Sequence, residues 1–296
     1  MQLLAYIIIY PVLWLISILP FRLLYALSDV FYFLIFRIFK YRKKVVKANL
    51  RLVFPEKSKK EIETICSKFY SHLCDLFLEM IKTLTVSKKE LDKRFIIKNP
   101  ENLKRLTSHN TSVVLMYGHY ASYEWSTVIQ SHIDIAGLGI YKKIANPYFD
   151  RLAKKVRGKF NTELVDTKNT VDRIKQIKEK NDPRMIAFLS DQSPKLKPSN
   201  HWLEFMGINV PCFIGAELTA KTNDFPVGFA QIEKVKRGYY EAEIKIISER
   251  PKEEEKYAIT KKFNHFLEAQ IKTKPEYYLW THKRWKHRDK VPSELK

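Results

Sequence analysis

The stretch Gly118-His119-Tyr-Ala-Ser-Tyr-Glu124 puts an imidazole and a carboxylate a little over one helical turn apart, directly after the apolar run Val113-Val-Leu-Met-Tyr117. Histidine exchanges a proton near neutral pH, and a carboxylate on its second ring nitrogen fixes the tautomer and steadies the imidazolium. Such a pair can strip a proton from a substrate hydroxyl. Gly118 permits a tight turn between the apolar run and the histidine. The spacing alone decides nothing, because a chain with 8 His and 32 acidic residues is expected to hold such a pair by chance. Its meaning rests on the elements that carry it.

Periodicity reads residues 112–117 as a strand and 121–133 as a helix, so His119 follows a strand's carboxyl end. The alternation continues with strands at 139–141, 163–165 and 184–189 and helices at 147–160 and 171–180. It predicts an α/β fold: a mostly parallel mixed sheet with helices on both faces. Ligands gather at the carboxyl ends of strands in such sheets. Lys142, Asn146 and Arg151 follow one strand and Asp191 and Gln192 another, so polar groups from three strand ends would converge on one cleft. Upstream, Ser58-x-x-Glu61 and Ser87-x-x-Glu90 read as capping boxes. The first opens a helix with apolar positions Ile62, Ile65, Phe69, Leu73, Leu76, Met80 and Leu84. Downstream, residues 191–211 read as a long functional loop. A helix at 214–221, strands at 227–234 and 240–247 joined at Lys236-Arg-Gly238, and a charged helix at 253–272 complete the domain.

Residues 3–19 carry no charge; as a helix they span roughly 25 Å, near the lower limit for crossing a bilayer. No basic residue precedes them and no small-x-small cleavage site follows, which favours a retained anchor over a cleaved signal peptide. Residues 21–39 read as an aromatic-rich amphipathic helix lying in the interface. The division is thus a transmembrane or interfacial anchor at 1–40 and a catalytic domain at 41–296. The cluster Lys40, Arg42, Lys43, Lys44, Lys47 and Arg51 assigns that domain to the cytoplasmic side. The net charge of +21 suits a polyanion or an anionic membrane. No zinc site, helix-turn-helix or aromatic–Arg sheet pattern argues for nucleic acid. The basic residues flank the apolar N-terminus and recur at Lys283, Arg284, Lys286, Arg288 and Lys290, so anionic inner-leaflet lipids are the expected partner. Cys66, Cys74 and Cys212 lack metal-ligand spacing and read as reduced, packed thiols. His282 reads as packed against Trp280 and Trp285, and the other six histidines, His109 among them, as surface or core.

The chain resembles the bacterial lipid A biosynthesis (lauroyl/myristoyl) acyltransferases and their lysophospholipid acyltransferase relatives. Its matching motifs are Asn49-Leu-Arg-Leu-Val-Phe-Pro-Glu56, the Gly-His-x4-Glu core, and Tyr141-Lys-x3-Asn-Pro147 with Asp150. The strand ending in Asp191, then Gly207, Pro211 and Gly215-Ala216, also fit. The closing Pro275-Glu-Tyr-Tyr-Leu-Trp-Thr-His-Lys-Arg-Trp-Lys286 is the most specific match. The resemblance implies a glycerolipid acyltransferase-like fold and acyl transfer from an acyl carrier protein thioester to a hydroxyl of a lipid A precursor at the bacterial inner membrane. His119 would be the base and Glu124 the group that orients and charges it. Lys142 would stabilise a phosphate or the oxyanion, while Arg151, Arg157 and Asp191 serve the donor or acceptor site. No metal or cofactor is implied. Two departures stand out: Lys142 replaces Arg, and Asp191-Gln-Ser193 replaces Asp-His-Asp. They leave acyl transfer more firmly implied than lipid A as acceptor; lysophospholipid, aminolipid and glycolipid acceptors are the alternatives.

Overall fold

The chain opens with two helices, α1 (Gln2–Ile18) and α2 (Phe21–Tyr32), the second continued by a π-helical stretch Phe33–Ile38. The computed structural model describes residues 1–108, 110–197 and 199–293, so His109 and the last three residues of the expected 41–296 domain lie outside it. Next come α3 (Lys43–Val53) and α4 (Lys59–Lys82). The α4 capping box is complete: Ser58 N donates to Glu61 at 2.8 Å, and Glu61 N to the Ser58 hydroxyl at 3.3 Å. Ile62, Ile65, Phe69, Leu73 and Leu76 then bury one face of α4. Replacing Phe69 by Ala would cost about 3–5 kcal/mol. Ser87 caps the short α5 (Lys88–Asp92), accepting from Glu90 N at 3.2 Å.

The remaining elements build the sheet and its cover. In chain order they are β1 (Phe95–Ile97), α6 (Pro100–Thr107), β2 (Val113–Tyr117), β3 (Ala136–Tyr141), α7 (Pro147–Arg157), β4 (Thr162–Asp166), α8 (Thr170–Glu179) and β5 (Arg184–Leu189). They continue with β6 (His201–Phe205), β7 (Ile208–Cys212), α9 (Gly215–Asn223), β8 (Val227–Lys236), β9 (Tyr239–Ser248) and α10 (Ala258–Thr273). The main sheet runs β1-β9-β8-β2-β5-β3-β4. Every neighbouring pair is parallel except β8 and β9, so β1 and β9 run against the other five strands. The expected mixed α/β sheet is therefore present.

Four expectations are corrected. Residues 121–133 are not an α-helix but a bend followed by a 3-10 helix, Trp125–His132. Ser126, Thr127 and Ser131 each donate to the carbonyl three residues back, a side-chain competition that suits the tighter turn. The 191–211 loop hides the hairpin β6–β7, whose two-residue turn puts Met206 at φ 55° and Gly207 at φ 76°. Both central residues with positive φ are what a tight hairpin needs. Gly118 serves space rather than a turn: a Cβ there would lie 2.6 Å from a Leu267 methyl of α10. The left-handed residue is Ala121, at φ 49°.

The fourth correction concerns the transmembrane anchor: among the described residues no helix is long and apolar enough to cross a membrane. α1 is instead docked on the domain. Tyr6 meets Tyr148 and Phe149 of α7 with ring centroids 5.7 and 5.5 Å apart. Lys82 Nζ of α4 donates to Ser17 O and Leu19 O, each at 2.7 Å, satisfying carbonyls at the end of α1. α2 turns its polar side inward. Ser28 donates to Asp75 at 2.8 Å and Tyr25 to Glu79 at 2.9 Å. Arg237 of the β8–β9 turn pairs with both Asp29 and Asp75.

Glu79 is fully enclosed and also accepts from Tyr240 at 2.8 Å. Burial lifts its carboxyl from the ordinary 4.5 to about 7, aided by the charge of Asp75 and opposed by Lys234. The folded state therefore holds this proton where the unfolded chain has released it, and the group's contribution to stability falls as pH climbs through that window. Glu79→Gln, which like the protonated carboxyl offers one acceptor oxygen and one donor to the two tyrosines, should remove this dependence. The melting temperature of the variant minus that of the native chain is expected to grow from about pH 4.5 to about 7. A flat difference would contradict it.

Candidate active site

Strands β2 and β5 are parallel neighbours with Tyr117 paired to Leu189. Two residues beyond each, His119 and Asp191 therefore stand side by side. His119 Nδ1 lies 2.7 Å from Asp191 Oδ1, and the His119 backbone N–H donates to Asp191 Oδ2 at 3.1 Å. Nδ1 must carry the proton to bond a carboxylate, which leaves a lone pair on Nε2. Gln192 Nε2 lies 3.3 Å from that nitrogen and donates to it. Burial opposes charging the imidazole, but Asp191's charge and hydrogen bond outweigh it, with Glu124 adding to them, and the His119 pKa is raised. Burial likewise opposes ionisation of Asp191, yet the imidazole and the His119 backbone N–H hold its pKa below the usual carboxylate range.

Glu124 does not sit on the imidazole nitrogen where sequence reasoning put it. Its carboxylate takes a two-pronged bond from Arg157, Nε at 3.0 Å and Nη2 at 2.6 Å. Glu124 stands just before the 3-10 helix and Arg157 ends α7, so the pair ties the two elements together. Burial works against the Arg157 charge, and Glu124 more than restores it.

The C-terminal block braces this turn. Leu279 N donates to His119 O and Ala121 N to Tyr277 O, each at 3.0 Å. Asn49 Nδ2 donates to Trp280 O and His282 O, both at 2.9 Å, joining the Asn49 motif to the same block. Trp280 stacks on Trp285 with centroids 5.9 Å apart. His282, expected as packing against these rings, accepts the Ser193 N–H at 3.1 Å through Nε2. Burial pushes its pKa down to about 4, so the ring stays neutral and keeps that lone pair. Tyr278 is buried beside Asp191; burial and then the Asp191 charge raise its hydroxyl pKa. The spacing of single residues carried no signal for Asn49 or Tyr278, whose neighbourhood only the two longer motifs pointed to, whereas Gln192 lines the cleft as its place after a strand end predicted.

A cleft of about 1090 Å³ opens at this point, lined by His119, Tyr123, Glu124, Arg157, Gln192 and Lys142 among others. Tyr141-Lys-x3-Asn-Pro147 shapes its mouth. Asp150 accepts from Ile144 N at 2.9 Å and from the Tyr141 hydroxyl at 3.1 Å, and the Asn146 side chain caps α7. Lys142, Lys143, Lys168 and Lys195 also line the cleft. Arg151 is exposed on α7 and is not among the lining residues. Cys66, Cys74 and Cys212 are buried free thiols. Among the described residues no three His, Cys, Asp or Glu side chains gather as a metal site. Asp191→Asn should lower the His119 pKa, read by NMR titration of the labelled ring; an unchanged midpoint would show that Asp191 does not set it.

The imidazole of His119 thus stands at the strand ends of an α/β sheet and lines a deep cleft. The chain matches the family described as bacterial lipid A biosynthesis acyltransferase over residues 2–287. It belongs to that family, and it is an acyltransferase. It is 24% identical over 292 residues to the lipid A biosynthesis lauroyltransferase of Escherichia coli K12, covering 95% of this chain and 92% of that one. It is 23% identical over 288 residues to the palmitoleoyltransferase of the same organism, covering 96% and 92%. A lipid A biosynthesis acyltransferase of Haemophilus influenzae is 22% identical over 257 residues, covering 85% and 80%.

Proposed function

We propose that this acyltransferase moves a fatty acyl chain from an acyl carrier protein thioester to a hydroxyl of a phosphorylated lipid A precursor, at the cytoplasmic face of the bacterial inner membrane. The observation that carries the reading is the His119–Asp191 bond of 2.7 Å, which keeps the neutral ring's proton on Nδ1, so that the lipid hydroxyl takes the place of Gln192 at Nε2. Nε2 takes the proton of the lipid hydroxyl as its oxygen attacks the thioester carbonyl. The imidazolium is stabilised by Asp191, and Glu124 adds negative charge nearby. The tetrahedral oxyanion collapses, the carbon–sulfur bond breaks, and the thiolate recovers the proton from His119. Arg157, held by Glu124, and Lys142 supply positive charge for the oxyanion or the acceptor phosphate. No covalent enzyme intermediate is needed.

Membrane docking rests on the N-terminal surface. Leu4, Ile8, Leu15 and Ile18 lie along the outward side of α1, with Leu4 60% and Ile8 62% exposed. Leu23, Val30, Phe33 and Phe39 continue this apolar surface, beside the basic residues from Lys40 to Arg51. An apolar face flanked by cations suits a helix lying in the plane of an anionic leaflet. Ile8→Asp with Leu15→Asp is expected to cut co-sedimentation with anionic vesicles at least tenfold; unchanged binding would defeat the docking surface.

Purified protein with acyl carrier protein thioesters and lipid A precursors tests the chemistry. His119→Ala should lower transfer about 10²- to 10⁴-fold, and full activity would rule out His119 as the base. Lipid mass spectrometry of a deletion strain tests the acceptor. Loss of one acyl chain from lipid A is expected; an unchanged lipid A would redirect the reading to a lysophospholipid, aminolipid or glycolipid.

A further inference from the structure

The cleft continues well past His119. It runs inward along one face of the sheet, over Leu189, Ala187 and Met185 of β5 and Tyr141, Gly139 and Gly137 of β3. Register pairs Gly139 with Ala187 and Gly137 with Met185, so these rows form one continuous floor. From residue 189 to 185 the trough extends about 13 Å. Burial deepens along it, from 36% exposure at Leu189 to 4% at Met185.

The inner end is polar. Gln130 of the 3-10 helix lines it and is 1% exposed. Its amide N–H donates to Ile135 O, which fixes which end of the amide is which. The other end, Oε1, is buried and has no hydrogen-bond partner. A Cβ on Gly137 would lie 2.5 Å from that oxygen and 2.7 Å from Thr162 Oγ1. The glycine thus lets the amide oxygen and the hydroxyl approach the same stretch of trough wall. A buried carbonyl oxygen without a donor is costly, and it is tolerated where a bound molecule brings the donor.

We propose that the inner end of the trough is a subsite for a hydroxyl carried toward the far end of the acyl chain, with Gln130 Oε1 as its acceptor and Thr162 beside it. The chain transferred is then a hydroxylated fatty acyl group. The inference rests on the reading that the trough holds the donor's acyl chain. A plain chain would press methylene groups against the amide oxygen and leave it unpaired, whereas a hydroxyl at the right depth pairs it. Discrimination by a buried polar group works through that penalty on the wrong ligand.

The test is a competition assay with the intact protein. Saturated acyl thioesters compete with hydroxylated ones of equal length, the hydroxyl placed at successive positions along the outer half, and products are counted by mass spectrometry. At one position the hydroxylated chain is expected to win by about tenfold in kcat/KM. In Gln130→Leu that ratio should fall toward one. Because this variant also loses the bond to Ile135, Thr162→Val, which spares it, should lower the same ratio by a smaller factor. Transfer of plain chains with no hydroxylated chain preferred at any position would overturn the subsite and leave acyl transfer from a thioester standing. Transfer of no thioester at all would overturn both.

Discussion

The 2.7 Å bond between His119 and Asp191 is the interaction on which the site depends, and it is a consequence of strand register. A slip of β5 against β2 by one residue would move Asp191 away from the imidazole and turn every β5 side chain to the opposite face. The sheet core therefore does two jobs with one set of contacts. Val113, Val114, Met116 and Ile186 are fully buried or nearly so, and burying them holds the register that aligns the pair. Asp191 is itself buried, so its charge is tolerated only because the imidazole and a backbone N–H meet it.

The turn carrying His119 is short, and its Ala121 occupies a left-handed conformation. Such a conformation costs on the order of 1–3 kcal/mol and persists where surrounding structure over-determines it. The C-terminal block does so, clasping the turn at both His119 O and Ala121 N. Asn49 in turn holds that block from the other end of the chain. Residues far apart in sequence thus share one task, holding the orientation of an imidazole. This gives a physical reason for the long motifs at Asn49 and Pro275: they are brace and anchor of the turn rather than groups facing the cleft.

The N-terminal helices follow a different logic. Their polar side chains face inward toward Asp75, Glu79 and Arg237, while many large apolar ones face outward. A water-soluble helix normally does the reverse. Enclosing Asp75 and Glu79 is costly and is compensated by Lys234, Arg237 and the tyrosine hydroxyls around them. The helices are thereby fixed to the same sheet that carries the site, and Tyr6 of α1 touches α7, whose N-terminal loop shapes the mouth of the cleft.

Much was legible from the chain alone. Strict apolar runs gave away β2 and β5, capping chemistry marked α4 and α5, and a polar residue after each strand marked the cleft. These are local signals, because periodicity and caps act within a few residues. What stayed hidden was pairing. The sequence determined that His119 would follow a buried strand, with the carboxylates Glu124 and Asp191 both further along the chain. Only the tertiary structure decided that Asp191, from a neighbouring strand 72 residues away, takes the imidazole nitrogen while Glu124 takes Arg157. The physical reason is that proximity on one strand end constrains a side chain less than register between two strands. A hydrogen bond forms between groups the sheet aligns, not between groups the chain merely spaces.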